Sequence, residues 1–127
     1  MSGKLIAVDN GNIKIDNASV SATLNLNKVK AEKGKVSGSS ILLQGTQGIV
    51  TNITSNGATI PDIGPYTLTI KSTVKKVKAE RKLVLLEGDQ SDKVTATPQI
   101  PENPPTNYPV TFKLVIQSAG QTKVRAV

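Results

Sequence analysis

The sequence predicts an all-β protein, and three observations carry that reading. Val, Ile and Thr number 13, 11 and 13 among 127 residues, and side chains branched at Cβ suit pleated strands better than helices. Short runs of these residues are separated by Gly, Asn, Ser and Pro clusters, and no stretch of helix length keeps a 3.6-residue period. The chain is also one domain long, so 1–127 is read as a single domain. Its core must come from Val, Ile and Leu, because the only aromatic residues are Tyr66, Tyr108 and Phe112.

The elements follow in order. Leu5–Val8 and Ile13–Ile15 flank Asp9-Asn10-Gly11-Asn12. Asn-Gly supplies the positive-φ pair of a type I′ turn, so residues 4–15 are expected to form a β-hairpin. Further strands are expected over 20–26, 28–31, 40–44, 49–53, 66–72, 76–79, 83–86, 94–96, 110–117 and 123–127, each a β-branched or apolar run bounded by turn formers. Thr97–Pro109 holds five prolines and reads as an extended surface loop of polyproline II character.

The net charge is +7, from 16 Lys and Arg against 9 Asp and Glu. The excess gathers in 28–35 (Lys28, Lys30, Lys33, Lys35) and 71–82 (Lys71, Lys75, Lys76, Lys78, Arg81, Lys82), where cations alternate with Val or Ala. On a strand, that period puts cations on one face and small apolar residues on the other. A groove for single-stranded nucleic acid needs aromatic platforms that this chain lacks. A solvated strand face or an edge guarded by lysine is the better reading, and nucleic acid is not an expected partner.

The absences are as informative. With no His and no Cys, there is no imidazole base, no thiol nucleophile and none of the usual zinc, copper, iron–sulfur or haem ligand sets. No catalytic residue, metal or cofactor is therefore expected. The remaining enzyme material, Glu87, Asp89 and Asp92 with Ser91 and Lys93, lies in a loop that reads as a turn. Asp9-Asn10-Gly11-Asn12 lacks the further ligands of a calcium loop. The apolar run at the N-terminus is too short for a signal peptide and no stretch is long enough for a spanning helix, so synthesis in the cytoplasm is expected.

One tetrapeptide occurs three times: Lys28-Val29-Lys30-Ala31, Lys76-Val77-Lys78-Ala79 and Lys123-Val124-Arg125-Ala126. Its surroundings repeat as well. Ile41-Leu42-Leu43-Gln44-Gly45-Thr46-Gln47 matches Val84-Leu85-Leu86-Glu87-Gly88-Asp89-Gln90, and Leu68-Thr69-Ile70-Lys71-Ser72 matches Leu114-Val115-Ile116-Gln117-Ser118. Three related units, around 20–47, 66–90 and 110–127, predict a body with approximate internal threefold symmetry. Such a monomer offers three similar patches to a true trimer.

Asp16-Asn17-Ala18-Ser19-Val20-Ser21-Ala22, Ile60-Pro61-Asp62-Ile63-Gly64-Pro65-Tyr66 and Leu83-Val84-Leu85-Leu86-Glu87-Gly88-Asp89 resemble, in this order, segments of the PAAR-like spike-tip proteins of contractile injection systems. The resemblance runs from about residue 12 to the end. It implies a small conical β protein, one copy of which caps the trimeric spike of a phage-tail-like particle and crosses the target envelope with it, meeting the membrane only transiently. Where the family places cysteines this chain has Ala22 and Tyr66, and the metal-binding histidines are missing, so the capping role carries over without the metal. The third repeat ends at Ala126, so the resemblance implies a bare tip whose cargo, if any, is held non-covalently. Spike-binding residues are expected around the repeats: Val29, Val77 and Val124 as dry contacts, with Lys28, Lys76 and Lys123 at the rim. The competing reading is a small basic β-barrel that binds an oligonucleotide or a glycan.

Overall fold

The computed structural model describes residues 4–126 and is all-β, with no helix among the described residues. The strands are β1 (Lys4–Leu5), β2 (Asn12–Ile15), β3 (Val20–Asn27), β4 (Lys30–Val36), β5 (Ser39–Leu42), β6 (Gln47–Ser55), β7 (Ala58–Asp62) and β8 (Tyr66–Thr69), followed by β9 (Lys78–Ala79), β10 (Lys82–Leu83), β11 (Val94–Ala96), β12 (Gln99–Ile100), β13 (Thr106–Asn107), β14 (Val110–Phe112), β15 (Leu114–Ser118) and β16 (Arg125–Ala126). The largest sheet runs β13-β12-β7-β6-β3, with β8 also on β6. Along β6 the buried positions Gly48, Val50, Ile53 and Ser55 turn inward while Ile49, Thr51 and Asn52 lie outward. Asn52 adopts φ 54° where one extra residue of β6 opposes β3, and such a bulge bends the longer strand over the core.

The N-terminal hairpin does not form. Gly11 N–H does bond Val8 C=O at 2.9 Å, but neither Asn10 nor Gly11 takes the left-handed conformation that a type I′ turn requires. The flanking segments leave to different partners: β1 pairs with β16 and β2 with β15. Tertiary burial overrides the turn signal, because Ile6, Ala7 and Val8 are buried and a hairpin would leave them half exposed.

Three two-stranded arms are built instead. The β4–β5 arm turns through Ser37 and Gly38 (φ 53° and 84°), and the β9–β10 arm through Glu80 and Arg81 (φ 51° and 73°). Both have the paired positive φ of a tight hairpin. The third arm, β16 with β1, has the same antiparallel pairing, Lys4 with Ala126 and Leu5 with Arg125, but no turn joins it.

The arms lead into a closed cycle. Ala7 N–H bonds Leu85 C=O (2.8 Å), Leu85 N–H bonds Leu42 C=O (3.0 Å), and Leu42 N–H bonds Ala7 C=O (3.0 Å). Two residues outward the pattern recurs: Asp9 N–H to Ser40 C=O, Gln44 N–H to Leu83 C=O and Glu87 N–H to Leu5 C=O, at 2.8–2.9 Å. Each segment then turns through one more bond, Gly11 to Val8, Thr46 to Leu43 and Asp89 to Leu86. Because strand side chains alternate, Ala7, Leu42 and Leu85 enter the larger core with Phe112, Leu114 and Ile116, while Ile6, Leu43 and Val84 enter a smaller core on the other side. The cycle is the layer between them.

Two further expectations change. The proline-rich segment is not simply a loop, since β12 pairs with β13 and, through Gln99, with Ile60 of β7. Its prolines flank the paired residues or fill the tip, so none is asked for a ladder N–H. The strand expected over 110–117 divides at Lys113, with β14 on β11 and β15 on β2. Val127, the last residue of the final expected strand, lies outside the described residues.

Candidate docking site

Each of the three tetrapeptides leads into one strand of an arm. In each, only the last two residues pair as strand: Lys30-Ala31, Lys78-Ala79 and Arg125-Ala126. Each valine carbonyl accepts a backbone N–H from a cycle segment, Val29 from Leu43 (2.8 Å), Val77 from Val84 (3.1 Å) and Val124 from Ile6 (3.0 Å). The first copy sits two residues further along its partner. Lys30 opposes Leu42 itself, whereas Lys78 and Arg125 oppose Leu83 and Leu5, two residues before Leu85 and Ala7.

The valine side chains do not form one outward face. Val29 and Val77 are half-buried against the smaller core, and Val124 is 40% exposed. Lys28 is half-buried, its ammonium bonded to Asp9 Oδ1 (2.9 Å) and to the Asp9 carbonyl (3.1 Å), while Lys76 and Lys123 are exposed. The chain's own smaller core therefore uses two of the three valines. What the arms present outward is mainly cationic: Lys30, Lys33 and Lys35 on the first, beside one exposed acid, Glu32, then Lys78, Arg81 and Lys82 on the second, and Lys4 and Arg125 on the third, all exposed.

Two acidic groups near these arms, Glu80 and Asp9, are engaged internally. The Glu80 carboxylate accepts backbone N–H bonds from Glu32 (2.9 Å), Lys33 (3.0 Å) and Gly34 (3.4 Å), tying the second arm to the first. Those bonds, that of Lys33 foremost, hold its carboxyl below the usual range. Asp9, gripped by Lys28 and by Lys30 (3.3 Å), is likewise lowered, chiefly by the Lys28 bond. Gln121 fastens the third arm. Its amide donates to Ile6 C=O (2.8 Å) and Val124 C=O (2.7 Å), and its oxygen accepts from Lys123 N–H (2.7 Å) and Val124 N–H (2.8 Å).

Sequence reasoning missed these three residues. Glu80 could have been found as the one acid in a run of six cations; Gln121 gives no sequence signal, because its partners lie across the chain. The carboxylate loop is structural as well. Asp89, buried, accepts Leu86 N–H (2.8 Å) and the Thr73 hydroxyl (2.6 Å), and Ser91 accepts Leu114 N–H (2.9 Å). Among the described residues no group of His, Cys, Asp or Glu has a metal-holding arrangement.

No family model, no curated protein and no solved structure matches this chain.

The lowered carboxylates give a pH prediction. A carboxyl whose folded pKa lies below its unfolded value contributes stability that is complete above the unfolded pKa and is lost as pH falls through the folded one. The melting temperature should stay flat from pH 7 to about 5 and decline below about 4. In the Asp9→Asn/Glu80→Gln double variant that acid decline should be shallower. Equal slopes for the two proteins in melts at stepped pH would show that these bonds do not govern acid stability.

Proposed function

We propose that this chain is the tip that caps the trimeric spike of a contractile, phage-tail-like injection particle. The observation supporting this most is the closed backbone cycle through Ala7, Leu42 and Leu85 with its three arms; read as approximate threefold symmetry, it would offer three related surfaces to three identical partners. The PAAR-like segments in the sequence support the same reading. The docking end is the one carrying the arms, where exposed Lys76, Lys123 and the arm cations meet acidic side chains or terminal carbonyls of the spike. Val124 adds apolar contact there, and Val29 and Val77 hold their arms in place from inside. The tip is assembled in the cytoplasm with its particle and crosses the target membrane only on contraction; cargo, where carried, rides on it non-covalently.

The test is the mass of the complex co-purified with a trimeric spike: one tip per three spike chains is expected, and a 3:3 complex would remove the symmetry argument. Lys35→Glu, Lys82→Glu and Lys123→Glu combined, one exposed cation per arm, should slow association about tenfold at low salt and much less at high salt. Association with an oligonucleotide or glycan instead of a spike would favour the small binding module.

A chain without His or Cys should also reach its stability without a transition metal. Elemental analysis should find no stoichiometric zinc or iron, and EDTA should leave the melting temperature unchanged. One tightly held metal per chain would contradict this.

A further inference from the structure

Strand β3 ends the largest sheet and, among the described residues, pairs only with β6. An edge strand turns half of its backbone N–H and C=O groups away from its one neighbour, and proteins guard such edges with charge, proline or a bulge. This chain does so elsewhere. At the sheet's other end, the β12–β13 ribbon is set among Pro98, Pro101, Pro104, Pro105 and Pro109, and the arms carry Lys or Arg. On β3 none of these guards is present. The eleven residues from Asn17 to Asn27 hold no charge and no proline. The bulge in the β3–β6 pair lies on β6, so the β3 backbone stays regular. Ser21, Thr23, Asn25, Leu26 and Asn27 are exposed. At about 3.3 Å per residue, the open edge is about 26 Å long.

Charge marks both ends of that edge. The Asn17 side-chain amide bonds Thr111 C=O (2.9 Å), fixing the start of β3 beside a cleft of about 240 Å³ lined by Lys93, Lys113 and Asp16. Beyond its far end stand Lys28 and Lys30 around Asp9. Each end therefore has two cations against one acid, with an uncharged stretch between. A second copy fits poorly. Paired antiparallel, it would bring Lys93 and Lys113 against Lys28 and Lys30; paired parallel, it would bring each cationic end against itself.

We propose that β3 is a strand-addition site for an extended segment of a partner protein, about eight residues long, uncharged in its middle and acidic at both ends. Main-chain hydrogen bonds supply the affinity and the two cationic ends set the position along the edge. This goes beyond the spike-capping reading; the edge shares Lys28 and Lys30 with the foot of the first arm, but the β3 amides and the N-methylated peptides read the edge alone, so either can fail without the other.

The probe is a synthetic peptide copying Gln47–Ser55, the strand that β3 already accepts, with two glutamates added at each end. Titrated into the intact ¹⁵N-labelled protein, it should shift and protect the β3 amides. N-methylation at alternate peptide residues should weaken binding at least tenfold in one phase and less than twofold in the other, because only one set of N–H groups faces β3. Replacing the terminal glutamates by lysines should weaken it at least tenfold. Absence of β3 shifts, equal binding by both methylated peptides, or equal binding by the lysine-ended peptide would overturn the proposal. So would a β3-mediated dimer of the protein alone in sedimentation equilibrium, which would assign the edge to a second copy.

Discussion

Leu85→Pro is expected to abolish cooperative folding. Leu85 is fully buried and its N–H bonds Leu42 C=O (3.0 Å) in the central cycle. Proline removes that donor, leaves a buried carbonyl without its partner and deletes apolar volume at one point. Leu85→Ala keeps the backbone bond and loses only side-chain packing, which costs about 3 kcal/mol, or about 10 °C in melting temperature for a chain of this size. Leu26→Ala, on an exposed leucine of β3, should shift the melt by only a degree or two. If Leu85→Pro melts cooperatively within a few degrees of Leu85→Ala, the backbone cycle does not hold the two cores together. Circular dichroism melts decide between these outcomes.

Gln121→Ala should be the costliest polar substitution. One buried side chain makes four hydrogen bonds to main-chain groups of the third arm. Removing it leaves the carbonyls of Ile6 and Val124 short of donors and the N–H groups of Lys123 and Val124 short of acceptors, a loss of about 4 kcal/mol at roughly 1 kcal/mol per bond. The first two arms have turns and need no such clamp. The same logic predicts a rescue. In a circular permutant that joins Ala126 to Lys4 through Asn-Gly and opens the chain at the exposed Asn56-Gly57 turn, the third arm gains a hairpin turn of its own. The cost of Gln121→Ala should then fall to about half. Equal costs in the two topologies, measured by denaturant unfolding, would show that Gln121 acts on packing alone and not on arm closure.

Much of the architecture was legible because it depends on local pattern. Val20–Leu26, Ile49–Ile53 and Val94–Ala96 alternate or run apolar between turn formers, and they are strands. The matched segments at 41–47 and 84–90 enter the cycle in the same register, Leu42 with Leu85. The third member of that set, Leu5 to Gly11, was read as half of a hairpin. Asn10-Gly11 is a strong local turn signal, and nothing local reports that Ala7 bonds Leu85, seventy-eight residues away. The candidate site was legible in its cations and less so in its valines. Alternation set Val29 and Val77 apart from the lysines, but neither valine lies in a strand, Lys28 is as half-buried as Val29, and the pattern could not say that the chain's own smaller core would cover both valines.

What the sequence alone determined is the set of properties that follow from composition and near neighbours. These are an all-β chain, a thin aliphatic core, a surplus of positive charge in two runs, a thrice-written tetrapeptide and the lack of imidazole and thiol chemistry. Only the tertiary structure decided which segments meet. It paired β1 with β16 across the length of the chain, set Glu80 on the backbone of the first arm, gave Asp9 to two lysines and left β3 with one neighbour among the described residues. The reason is physical. Turn and strand propensities amount to about 1 kcal/mol each, whereas the choice of partner settles the burial of whole side chains such as Ile6, Val8 and Leu85, at about 2 kcal/mol apiece, and that larger sum overrules a local signal wherever the two conflict.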